Sequence, residues 1–175
     1  MSGMNRQTRH VIFLSGPIGV GKTSLGRLAA VGLGASFIDG DDLGNPSRPW
    51  FEQVLSSAKA LVDAGMAALR ERPVVLVAMP LRRRDWVFLK SRFEAKGVAV
   101  HCITLAARAE SILGLGRGRE FDAEERTRIQ EMIAQGYGNR AFSDAVVETD
   151  RASFAETADE IAALCRSLLA RQPDD

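Results

Sequence analysis

Apolar residues fall along this chain in two alternating patterns. Continuous apolar runs, the mark of strands buried on both faces, alternate with stretches where apolar residues recur every three or four positions, the mark of amphipathic helices. HVIFLS (10–15) is the first such run, and the helix after it carries Leu25, Leu28, Ala29 and Leu33 on one face and ends near Gly34. SFID (36–39) is a short second strand. From Trp50 to Leu69, residues Phe51, Val54, Leu55, Ala58, Leu61, Val62, Met66 and Leu69 trace one helical stripe, with Pro49 near its start and Pro73 just past its end. VVLVAM (74–79) is a third strand. A helix follows over about 85–96, with Gly97 placed as its C-terminal cap.

VAVHCITL (98–105) and DAVVETD (144–150) supply the fourth and fifth strands. Residues 107–139 between them read as helical, broken by the glycine-rich, charged stretch GLGRGRE. A last helix opens at Ser153, where Ser153 and Glu156 form an S-x-x-E capping box. Strand–helix alternation of this kind predicts an α/β fold, a five-stranded parallel sheet with helices on both faces. In such sheets ligands bind beyond the carboxyl ends of the strands.

The first of those ends carries the strongest motif. Gly16-x-x-x-x-Gly21-Lys22-Thr23 is a complete Walker A pattern between a predicted strand and a predicted helix. Gly16, Gly19 and Gly21 let the backbone turn so that successive N–H groups face phosphate oxygens, and the helix adds the positive end of its dipole. The expected nucleotide site is the loop Gly16, Pro17, Ile18, Gly19, Val20, Gly21, Lys22, Thr23 and Ser24. Lys22 is to reach the outer phosphates of ATP and the Thr23 hydroxyl to ligate Mg²⁺.

The other strand ends narrow the chemistry. No N-K-x-D motif is present to read guanine, and VVLVAM runs into Pro80-Leu81 without the acidic residue that motor ATPases place there. Instead FIDGDD sets Asp39, Asp41 and Asp42 just after the second strand. One such carboxylate can organise Mg²⁺ while another accepts a proton from a hydroxyl nucleophile. Any of the three could be the base.

Together, GPIGVGKTS, FIDGDD and DAVVETDRASFAETADEIAAL resemble the small-molecule P-loop kinases of the shikimate and gluconate kinase type. RPWFEQV (48–54) and AMPLRRRDWVFLKSR (78–92) look most like gluconate kinases. The lid and last strand also resemble chloramphenicol phosphotransferases. The resemblance implies a three-layer P-loop NTPase fold in one domain over residues 1–175, with a mobile helical lid over about 108–139. It also implies ATP, Mg²⁺ and a small hydroxyl-bearing acceptor such as a sugar acid. By position it makes Asp39 the magnesium-side carboxylate, with Thr23, and Asp41 the carboxylate that contacts the acceptor hydroxyl.

The arginines come next. Arg82, Arg83 and Arg84 follow the third strand on a predicted first helical turn, where cations oppose the helix dipole. Arg82 and Arg83 join Asp39 and Asp41 as candidate substrate ligands, and for the arginines a solvated basic turn is the alternative. Arg117 and Arg119, set among glycines, are the candidate catalytic cations that close over the transferring phosphoryl group alongside Lys22 and Asp41. Asp122 and Glu125 read as a helix cap. Arg108 and Arg140 flank the lid without a decided role.

Composition adds boundaries. A net charge of +1 argues against nucleic acid or a membrane surface as partner, and all but four of the basic residues (Lys22, Lys59, Lys90, Lys96) are Arg. Cys102 and Cys165 read as buried free thiols, His10 and His101 as structural histidines, and Trp86 and Phe88 as core. No apolar stretch is long enough to span a bilayer, so the expectation is a cytoplasmic enzyme, monomer or homodimer, with loose ends at 1–8 and 172–175. A nucleotide-binding regulatory module that transfers nothing is the other functional reading.

Overall fold

The computed structural model describes residues 8–43, 50–114 and 118–171, and for 50–56 the backbone alone. Five strands form one sheet: β1 (Arg9–Ser15), β2 (Ser36–Asp39), β3 (Val74–Ala78), β4 (Val98–Ala106) and β5 (Ala145–Glu148). Their order is β2-β3-β1-β4-β5, and every neighbouring pair is parallel. Parallel pairing demands a crossover between consecutive strands, and helices supply it. They are α1 (Lys22–Leu33), α2 (Trp50–Glu71), α3 (Arg83–Glu94), α4 (Ala109–Leu113), α5 (Ala123–Ala134) and α6 (Phe154–Leu169). The result is the expected three-layer α/β architecture.

Strand periodicity splits the core in two. Ile12 and Leu14 of β1 face one layer, where Leu25, Ala29 and Ala30 of α1 meet Ile161, Ala162 and Cys165 of α6. Val11 and Phe13 alternate to the opposite face and pack with Leu61 and Val62 of α2 and Trp86, Leu89 and Phe93 of α3. Phe13 lies edge-on to both Trp86 and Phe93, with ring centroids 6.1 and 6.3 Å apart. At Gly26 a Cβ would stand 2.6 Å from the Phe37 ring and 2.9 Å from Leu14, so glycine sets how closely α1 approaches the sheet.

Several boundaries differ from the sequence reading. Leu28 is 43% exposed instead of buried, because α1 presents Leu25, Gly26, Ala29 and Ala30 to the sheet and Leu28 falls on the far side of that arc. Helix α3 begins at Arg83 and ends at Glu94. Gly97 stands two residues past its C-cap Ala95, at φ 70°, turning the chain into β4. The helical reading of 107–139 shrinks to α4 and α5, and the chain after α5 turns at Gly136, φ 76°. Strand β5 is shorter than 144–150, although Thr149 N–H still donates to the Ala106 carbonyl. The Ser153–Glu156 capping box is present, as is the Asp122–Glu125 box on α5.

Both cysteines are buried and free, and burial pushes each thiol up to about 12. His10 Nδ1 lies 3.3 Å from His101 Nε2 with the rings stacked, so the two histidines are each other's partner. No helix among the described residues is long and apolar enough to cross a membrane.

Phe93 is fully buried, and its ring fills the space beside Gly65. Phe93→Ala is expected to cost about 3–5 kcal/mol in a urea unfolding curve. A loss under about 1 kcal/mol would mean the α2–α3 layer collapses to refill the gap.

Candidate active site

The phosphate loop follows from a close backbone contact. At Gly16, φ 150°, a Cβ would stand 2.4 Å from the Leu105 carbonyl oxygen of β4, so no other residue fits where β1 ends. Gly19 and Gly21 also take positive φ, 79° and 104°. Helix α1 then starts at Lys22, with no acidic residue in its first turn. Gly21, its N-cap, has no side chain, so the first-turn N–H groups and the dipole are open to an anion. Ile18 and Ser24 line the adjoining cleft, whereas Val20 is buried in the core. The Thr149 hydroxyl donates to the Val20 carbonyl at 3.0 Å and ties the loop to the end of β5. Thr149 was missed by the sequence reading, since no local pattern points from residue 149 to residue 20.

Lys22 folds back over its own loop. Its ammonium donates to the Gly16 carbonyl at 3.0 Å and to the Pro17 carbonyl at 2.7 Å. Burial lowers its pKa from 10.5 to about 8, against the opposing pull of the Asp41 and Asp39 charges. The Thr23 hydroxyl donates to Asp39 Oδ2 at 2.7 Å, and the Asp41 backbone N–H donates to Asp39 Oδ1 at 3.1 Å. Asp39 ends β2, and the next four residues (Gly40–Leu43) wind into a short 3₁₀ turn. That turn puts Asp41 on the cleft wall, while Asp42 is exposed and does not line it.

Thr23 and Asp39 suit Mg²⁺, which takes one or two protein oxygens and draws the rest from phosphate and water. Among the described residues no group of three or more His, Cys, Asp or Glu side chains could hold a metal.

The cleft over the loop has a volume of about 1150 Å³. On the loop side it meets Lys22, Thr23 and Asp41, and across from them Arg82 and Asp85 of the α3 start. Asp85 takes the Arg82 backbone N–H at 3.2 Å and its Nε at 2.9 Å, offsetting the cation at the positive helix end. Arg83, by contrast, is exposed and does not line the cleft, and Arg84 is exposed as well. Arg119 lines the cleft, with its guanidinium bonded to Glu125 at 2.6 Å; Arg117 lies outside the described residues. The side chains of Trp50 and Phe51 are also outside the description.

Arg128, Met132, Gln135 and Tyr137 complete the wall from α5 and the turn after it. Arg140 stacks on Tyr137, its guanidinium carbon 4.0 Å from the ring centroid, and donates to the Gln135 carbonyl at 3.2 Å. Arg108 is tied to Asp150, whose carboxyl is held down at about 2 by the Arg108 backbone N–H and the Ser111 hydroxyl.

No family model matches this chain. No curated protein matches it either. Solved structures do. A gluconokinase from Sinorhizobium meliloti 1021 superposes with a TM-score of 0.70 at 20% identity, covering 94% of this chain and 95% of that one. A sugar kinase from Janibacter sp. HTCC2649 gives 0.69 at 18% identity, over 94% and 99%. A shikimate kinase from Acinetobacter baumannii in complex with shikimate gives 0.60 at 21% identity, over 94% and 97%. The fold is therefore the three-layer P-loop NTPase fold that the resemblance implied.

The depressed Lys22 pKa has a direct consequence. Below about 8 Lys22 is an ammonium, and above it the charge is lost. Affinity for Mg·ATP is expected to fall as pH rises from 7 to 9, a range in which ATP itself keeps its charge. Isothermal titration across that range tests this, and a flat profile would contradict the assigned role of Lys22.

Proposed function

We propose that this chain is an ATP-dependent small-molecule kinase that moves the γ-phosphoryl group to a hydroxyl of a small polar acceptor. The observation that carries this reading is the linked set Lys22, Thr23, Asp39 and Asp41. A cation, a hydroxyl and two carboxylates meet at the mouth of a glycine-built anion cradle. Solved structures of the same fold are named as kinases of gluconate, other sugars and shikimate, which supports a metabolite acceptor over a protein one.

The loop N–H groups and Lys22 bind the β- and γ-phosphates. Thr23 and Asp39 would hold Mg²⁺, which when bound would neutralise phosphate charge. Asp41 stands on the cleft wall, free to accept the acceptor's hydroxyl proton. The acceptor oxygen attacks the γ-phosphorus, the bond to the β,γ-bridging oxygen breaks, and ADP departs with that electron pair. Arg119 meets charge on the phosphoryl oxygens, and Arg117, outside the described residues, is assigned the same role from its place in the sequence. Across the cleft, Arg82 stays charged and half-exposed beside Asp85, suiting an acceptor with a carboxylate or other anionic group. Arg83, exposed outside the cleft, is left out of that site.

A single domain, a reducing compartment such as the cytoplasm and a small-molecule partner without nucleic acid complete the reading. Two buried, unpaired thiols support the compartment.

Coupled ADP release from Mg·ATP tests it, read against gluconate, other sugar acids, shikimate, nucleosides and chloramphenicol-type alcohols. One acceptor is expected to stimulate release strongly. Asp41→Asn is expected to keep Mg·ATP affinity and lower acceptor-dependent turnover by about 10²–10⁴-fold, the usual worth of a general base. Nucleotide binding with no stimulation by any acceptor would favour the regulatory module.

A further inference from the structure

Glu125 is joined to Arg119 by a contact that the kinase chemistry does not require. One oxygen, Oε2, accepts the Asp122 backbone N–H at 3.3 Å and closes the capping box of α5. The other, Oε1, accepts Arg119 Nη2 at 2.6 Å. A single carboxylate thus serves the helix start and the cleft cation at once.

The place of Arg119 makes the second bond consequential. Its guanidinium carbon lies 4.9 Å from the centre of the Phe121 ring. That ring sits against the phosphate loop, 2.7 Å from where a Cβ on Gly19 would stand. Arg119 also lines the same cleft as Lys22 and Thr23. Phosphate oxygens arriving there and the Glu125 carboxylate are rival partners for the same guanidinium. Glu125 takes one of its N–H groups, Nη2, so what it holds is the direction of the side chain and not the whole set of donors.

We infer that Glu125 is a positioning residue that holds Arg119 in reserve while the phosphate loop is empty and competes with the outer phosphate of the nucleotide for it. This rests on the kinase reading only for the final use of Arg119; the competition itself concerns nucleotide binding. Glu125 sets an affinity ceiling: turning Arg119 toward the phosphate weakens one exposed ion pair. Side-chain exposures of 58% for Arg119 and 35% for Glu125 mean that solvent screens the pair, so the effect is modest.

Glutamine separates the two duties of Glu125, since it closes a capping box as glutamate does but makes no ion pair. Binding of the β,γ-imido analogue of Mg·ATP and of Mg·ADP is measured for the wild type, Glu125→Gln, Glu125→Ala, Arg119→Ala and the double variant Arg119→Ala/Glu125→Gln. Glu125→Gln is expected to bind the triphosphate about two- to five-fold tighter, the range of an exposed ion pair, with a smaller gain for Mg·ADP and an unchanged Tm. Glu125→Ala is expected to lower Tm because it also opens the helix cap. In the Arg119→Ala background the glutamine substitution is expected to gain nothing. Equal or weaker binding by Glu125→Gln overturns the inference. So does a tightening that survives without Arg119, since that would be the general field of one removed negative charge. No acceptor enters this measurement, so a failed kinase reading shows separately, as absent transfer with the Arg119–Glu125 coupling intact.

Discussion

The site depends on one steric constraint: where β1 ends, the chain passes so close to β4 that no side chain fits. A Cβ at Gly16 would lie 2.4 Å from the Leu105 carbonyl, and the chain leaves that point at a φ that glycine alone takes freely. Because Gly16 turns there, the loop can coil over the carboxyl edge of the sheet and α1 can begin at Lys22 with its N–H groups aimed back at the coil. The carboxylates obey the same geometry. β2 places Asp39 beside Ala78 at the sheet edge, within 2.7 Å of the Thr23 hydroxyl on α1. Two elements that leave the sheet at different strands are thereby brought together at one point.

Among the described residues, each cation that lines the cleft has a protein partner. Lys22 rests on two loop carbonyls, Arg82 on Asp85, Arg119 on Glu125 and Arg128 on Glu131. Unpaired cations crowded round one cleft would repel one another and the positive end of α1. Partnered, they are held in place without collapsing the cleft, and each exposed pair is weak enough for a stronger anion to displace. The acid at the α3 start explains how that helix tolerates an arginine run at its positive end: Asp85 compensates Arg82, and Arg83 and Arg84 point to solvent.

Much of this was legible in the sequence because it is local. The Walker A spacing, the apolar strands, the acidic cluster after β2 and the two capping boxes each lie within a few consecutive residues. Their physics is short-ranged: glycine torsions, helix caps and alternation of faces. What escaped was long-range. Thr149 reaches Val20 across the whole fold, and Arg128, Met132 and Tyr137 become cleft residues only through the tertiary fold, which brings α5 and the turn after it over a loop far away in sequence. Leu28 was misplaced for a local reason of another kind. Leucine at a helical spacing looks like core, yet the sheet accepts the arc containing Gly26, where the small residue allows contact. Arg83 looked equal to Arg82 in sequence, and only the start of α3 separates the one that meets Asp85 from the one that meets water.

The two halves of the cleft are therefore built on different terms. The phosphate-loop half consists mainly of backbone, positive-φ glycines and helix N–H groups, with Lys22 and Thr23 among its side chains. Its shape comes from torsions and the Gly16–Leu105 approach, braced by Thr149 at Val20 and by Phe121 at Gly19. The opposite half consists of side chains from α2, α3 and the end of α5, held by helices whose other faces form the core. There a change such as Gln135 or Tyr137 to another residue alters what fits without moving a strand. A fold divided in this way can keep its anion cradle while the opposite wall varies, so on the proposed kinase reading acceptor identity has to be sought among Arg82, Arg128, Met132, Gln135 and Tyr137, not in the loop that first draws the eye.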